Sequence, residues 1–208
     1  MTGRLISVEG GEGAGKSSAM AAVRAAIEGR GVEVVQTREP GGTPVGEAIR
    51  TLLLDPAHSI CAEAELLLMF AARAQLVREL VRPALERGAW VLSDRFTDAS
   101  FAYQGGGRGI DGGLIAELER WAATLKPDLT LLLDVDVRQG HARVAGRGAG
   151  KDRIERERED FFERVRATYR QRVAAEPQRF AVIDAGQSQE AVIAAVTAAL
   201  DQAFARWA

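Results

Sequence analysis

Five short apolar runs punctuate the chain, at 5–9, 32–37, 90–93, 129–135 and 180–184, and stretches of helical period separate them. The connections are too long for hairpins. Most of the runs are almost continuously apolar, which predicts a parallel sheet with helices on both faces. The first run, Leu5-Ile6-Ser7-Val8-Glu9, alternates instead and reads as a half-buried strand. Residues 18–28 carry Met20, Val23 and Ile27 at helical spacing, and 62–87 set Leu66, Met69, Phe70, Ala74, Val77 and Val81 near the same period. Two further helices are expected over 138–144 and 153–173. Ligands of such sheets gather beyond the carboxyl ends of strands, which narrows the candidate chemistry to 10–17, 38–40, 94–95, 134–136 and 184–186.

The first of these segments is Gly10-Gly11-Glu12-Gly13-Ala14-Gly15-Lys16-Ser17, a G-x-x-x-x-G-K-S loop between a strand and a helix. Its glycines let successive N–H groups turn onto phosphate oxygens, and the helix that follows points its positive end at the same charge. Lys16 adds a cation between the phosphates and Ser17 a hydroxyl for Mg²⁺. The chain holds only three lysines, at 16, 126 and 151, against twenty-four arginines. One of the three thus falls where a compact point charge is needed.

With 208 residues the chain fits one α/β domain, residues 1–208, with an elaboration over the site. Its formal charge of −2 gives no reason to expect nucleic acid as a partner. A single cysteine, Cys61, and no run of ~20 apolar residues lead to an expectation of a soluble, cytoplasmic protein without a disulfide or a membrane span. Two Gly/Arg-rich patches, 105–109 and 146–150, read as mobile loops. The second lies in a segment of about 143–155 that carries Arg143, Arg147, Lys151 and Arg153 and reads as a lid.

Taken together, 10–17, Thr37-Arg38-Glu39-Pro40-Gly41-Gly42, Phe70-Ala71-Ala72-Arg73, Asp94-Arg95-Phe96, Tyr103-Gln104-Gly105-Gly106-Gly107-Arg108-Gly109 and Asp152-Arg153-Ile154-Glu155 closely resemble the bacterial thymidylate kinases. The likeness spans the chain. It implies the P-loop nucleoside triphosphate hydrolase fold with five parallel strands and a small arginine-bearing lid, usually as a homodimer. It also implies transfer of the ATP γ-phosphoryl group to dTMP, with Mg²⁺. Another small-molecule P-loop kinase is the alternative within the enzymes. A nucleotide-binding switch protein is the alternative outside them, but Asp184-Ala185-Gly186-Gln187 is one residue short of D-x-x-G-Q and no N-K-x-D follows.

By that resemblance Gly10–Ser17 bind the donor phosphates, Arg95 the acceptor's phosphate, and Arg73, Ser100 and Gln104 the base. Thymine offers two carbonyl acceptors and one N–H, which an arginine and an amide can match. Tyr103 is expected to exclude a 2′-hydroxyl, and Glu12 to face the acceptor's sugar. Arg38 and Arg50 frame the acceptor site. Many relatives place a stacking Phe four residues before the base-reading arginine, where this chain has Met69; Phe70 is favoured over Met69 to cover the base. Asp94 and Ser17 are the metal candidates, with Asp134 and Asp136 competing for the place of Asp94. Because Gly13 stands where some relatives carry an arginine, the charge for the transferred group is expected from the lid, with Arg147 first and Arg143 and Arg153 behind it.

Overall fold

The structure, a computed structural model, describes residues 3–145 and 152–207. The apolar runs form β1 (Leu5–Gly10), β2 (Val34–Arg38), β3 (Trp90–Asp94), β4 (Leu129–Asp134) and β5 (Phe180–Asp184). All pair in parallel in the order β2-β3-β1-β4-β5. The sheet therefore switches direction of growth on either side of β1, and the crevice above that switch is where such folds place ligands.

Helices α1 (Lys16–Glu28) and α9 (Gln189–Trp207) cover one face, burying Met20, Val23, Ile27, Val196 and Leu200 against Ile6, Val8, Leu131 and Leu133. On the other face α3 (Ala62–Leu76) runs through a π-helical turn, Val77–Val81, into α4 (Arg82–Glu86) and packs on Leu5 and Val91. Beside it α8 (Glu159–Ala175) buries Phe161, Phe162, Val165 and Tyr169 on Leu132. The remaining helices are α2 (Pro44–Leu54), α5 (Thr97–Ser100), α6 (Gly112–Leu118) and α7 (Val137–Val144). Among the described residues no helix is long and apolar enough to cross a membrane.

Three expectations are corrected. β1 is not half-buried: all six residues are buried, because a central parallel strand is covered on both faces. Its polar positions are both satisfied: Ser7 shares a hydrogen bond with Thr130 of β4, and Glu9 accepts from the Phe96 amide and from Tyr169 of α8. The patch 105–109 begins as packed structure: Phe101–Gly107 is a π-helical turn continuing α5, and a Cβ at Gly106 or Gly107 would run into Thr168 or Phe161 of α8. Finally, α8 starts at Glu159 and not near 153, because Asp152 accepts from the amides of Ile154 and Glu155 (2.8 Å each) and closes a turn there.

Candidate active site

At the end of β1 the chain turns through Gly13 (φ 69°) and Gly15 (φ 86°), torsions that suit residues without a Cβ. α1 then begins at Lys16, with the amides of Ser18 and Ala19 donating to the Gly15 carbonyl. Gly13 also lies against the backbone of Gly140 in α7, so closely that a Cβ at Gly13 would overlap the Gly140 carbonyl, and one at Gly140 the Glu12 carbonyl. Lys16 is half-buried under this loop. Burial and the neighbouring Arg95 pull its ammonium below the ordinary lysine value, against Asp94, Glu12 and Glu9.

A cavity of about 210 Å³ opens on the loop's β3 side. Glu12, Lys16 and Arg95 line its phosphate-loop end; Arg38, Glu39, Pro40 and Arg50 form one wall; Met69, Arg73, Ser100, Tyr103 and Gln104 form the other. Every acceptor-side residue expected from the sequence lines it except Phe70. Phe70 is buried with Leu66, Phe101 and Ile115, its ring 4.5 Å from the Arg73 guanidinium carbon. Successive helix residues are turned by about 100°, so Met69 and Phe70 cannot share a face, and it is Met69 that meets the cavity. Phe70 supports Arg73 from behind.

Arg73 is buried, 2% exposed. Its Nε donates to Glu39 (2.8 Å), Nη1 to Ser100 Oγ (3.0 Å) and Nη2 to the Phe96 carbonyl (3.2 Å). Gln104 Nε2 donates to Glu65 Oε1 (2.8 Å), and the same buried carboxylate accepts from Arg108 and Arg153. Despite its burial, those hydrogen bonds from Arg108 and Gln104 hold Glu65 below the usual carboxylate range. An ionised carboxylate only accepts, so the amide nitrogen of Gln104 must face Glu65, and the amide oxygen remains for the cavity.

Arg95 follows β3 in a left-handed backbone conformation, φ 71°. Its guanidinium donates to Tyr103 Oη (2.9 Å) and Tyr169 Oη (3.2 Å), and it lies 3.6 Å from Glu12. Tyr169 in turn donates to Glu9 Oε2 (2.7 Å), while Phe96 N–H donates to Glu9 Oε1 (2.7 Å). Burial, and then Asp98, push the Glu9 carboxyl up to about 8.

Two further pockets flank the loop. One is lined by Ser17, Thr37, Arg38 and Asp94. Asp94 Oδ1 is buried without a hydrogen-bond partner among the described residues. By contrast, Asp134 is held by Arg166 and Arg170, and Asp136 caps α7. Of the three aspartates weighed for a metal, Asp94 thus has the oxygen to spare. The other pocket is lined by Gly13, Gly15, Ser18, Arg143, Ala185 and Gln187.

The lid candidates separate. Arg143 donates to the carbonyls of Ala185 (2.7 Å), Gly186 (3.3 Å) and Gly13 (3.4 Å), tying the P-loop to the β5–α9 turn. Arg153 donates to Leu53 O (2.7 Å) and Glu65 (2.6 Å) and anchors the turn before α8 to α2 and α3. Arg147 and Lys151 lie outside the described residues. Glu9, Glu65 and Tyr169 were given no role by the sequence, and Glu39 was named only within its motif.

A phosphate-binding loop with a cavity opening on each side is the plan of P-loop enzymes that pass a phosphoryl group between two small molecules. The thymidylate kinase family model matches residues 8–196. A thymidylate kinase of Chromohalobacter salexigens is 58% identical over 208 residues, covering 99% of this chain and 98% of that protein. One from Neisseria gonorrhoeae is 51% identical over 205 residues, covering 98% and 99%. The crystal structure of thymidylate kinase from Ehrlichia chaffeensis matches with a TM-score of 0.79 and 31% identity, over 97% of this chain and 100% of that one. The chain belongs to the thymidylate kinase family.

Proposed function

We propose that this enzyme transfers the γ-phosphoryl group of ATP to dTMP, giving dTDP and ADP. The observation that carries this is the cavity between Arg95 and Gln104. At one end it presents a preformed guanidinium suited to a phosphate, and at the other a buried Arg73 donor beside an amide oxygen. A donor next to an acceptor complements the O4 and N3–H of thymine and mismatches the reversed pair on cytosine.

Phosphoryl transfer asks a protein mainly for position and charge. The amides of 10–17 and Lys16 hold the donor phosphates, and the pocket beside Arg143 and Gln187 takes the adenosine end. Ser17 and the unpartnered Asp94 oxygen fit Mg²⁺, which when bound neutralises phosphate charge. Arg95 takes the acceptor's phosphate, Glu12 the sugar side, and Tyr103 excludes a 2′-hydroxyl. Arg147 supplies the lid's cation to the transferred group. The exposed Leu67, Leu114 and Trp121, on adjoining elements, support a second copy of the chain as partner, and the lone free Cys61 supports a cytoplasmic setting.

Steady-state turnover with ATP and each of dTMP, dUMP, dCMP and thymidine tests the assignment. The highest kcat/KM is expected with dTMP, and faster turnover of thymidine or dCMP would overturn it.

A further inference from the structure

Glu9 is an uneconomical residue for the middle of a parallel sheet, since burying a carboxyl group without need is costly. It is 0% exposed at the end of β1 and has no direct place in the acceptor cavity. Its two oxygens are nevertheless fully used, by the amide of Phe96 and the hydroxyl of Tyr169, each at 2.7 Å. Phe96 is the residue after Arg95, and Tyr169, 2% exposed, holds Nη1 of Arg95. One carboxyl group thus fastens the main chain next to Arg95 and, through a phenol, the far end of its side chain. The left-handed backbone of Arg95 is pinned as well, its amide donating to Val8 (3.0 Å) and its carbonyl accepting from Ser93 Oγ (2.6 Å). A non-glycine residue keeps such torsions only where its surroundings over-determine them.

We propose that Glu9 and Tyr169 are positioning residues that hold the Arg95 guanidinium ready for the acceptor's phosphate before the acceptor arrives. The proposal rests on Arg95 being the acceptor-phosphate clamp. An arginine held in advance loses little rotamer freedom when its ligand binds. Phenol oxygens are suitable holders, because they accept two of its five N–H groups without neutralising it and leave the others for phosphate. The hydrogen bond between Glu9 and Tyr169 survives either protonation state of Glu9, since the phenol donates to the carboxylate and can donate to or accept from the carboxyl group.

The test is calorimetric affinity for dTMP and for thymidine, which lacks the phosphate, in the wild type, Tyr169→Phe, Arg95→Ala and their double variant. Tyr169→Phe is expected to weaken dTMP about tenfold, the worth of one hydrogen bond to a charged group, with thymidine within about twofold. In the Arg95→Ala background it should have no further effect. Unchanged dTMP affinity in Tyr169→Phe, or equal loss of dTMP and thymidine, would overturn the positioning role. If Arg95→Ala itself leaves dTMP binding intact, the clamp assignment fails instead. Folded Glu9→Leu should share the Tyr169→Phe loss, and wild-type dTMP affinity there would remove Glu9 from the device.

Discussion

Glu65 decides which way one amide faces in the acceptor cavity, and on the proposed function this sets which base fits. Its carboxylate admits only donors, so Gln104 is locked with its oxygen toward the cavity. In Glu65→Gln the new amide offers both a donor and an acceptor, and Gln104 can turn over. The expected result is a fall of about tenfold in the preference for dTMP over dCMP, read as the ratio of kcat/KM values, since one hydrogen bond changes sign. An unchanged ratio would show that Glu65 does not set the orientation. Residues such as Lys16, Arg73 and Arg95 were legible in the sequence because a local motif surrounds each. Glu9, Glu65 and Tyr169 were not, because their meaning comes from partners 160, 39 and 74 positions away. Glu9 reads as one position of an alternating strand, and Glu65 and Tyr169 fall within helical stretches with no motif around them. Met69 and Phe70 show the same limit, since the helix face that meets the cavity depends on what packs behind it.

At the scale of elements, the five strands were legible from apolar runs bounded by turns, and α1 from its spacing. The boundaries that failed were set by side chains reaching back to the main chain, as with Asp152 before α8, or by close packing, as with the glycine-rich turn against α8. α7 depends on such an approach. Gly140→Ala improves intrinsic helix propensity by about 1 kcal/mol, yet the added Cβ runs into the Glu12 carbonyl. We expect the variant to lower kcat by about tenfold or more through displacement of the P-loop, because preorganised donors lose their effect when moved. A full-activity variant would show that α7 can withdraw without disturbing the loop.

For the molecule as a whole, pH reports the buried charges. Folded Glu9 holds its proton up to about 8, because burial and Asp98 outweigh Arg95, Tyr169 and Phe96, whereas an unfolded glutamate releases it near 4.5. Between those values the folded state binds the extra proton, so stability from this group falls as pH rises. Against burial, Arg179 and Lys126 hold Glu176 at about 2, so its contribution is present above about 4.5 and lost as pH falls toward 2. Calorimetric melting of the wild type and Glu9→Gln at pH 5 and pH 8 should show the wild type losing ground to the variant at the higher pH; parallel shifts would refute the assignment. The contact of Gly13 with Gly140 carries a consequence for descent. Neither glycine can be exchanged while its partner's backbone stays in place, so the two positions form one heritable character. A lineage that gains any side chain at position 13 of the phosphate loop must also reseat α7, so no single substitution leads from this arrangement to that one.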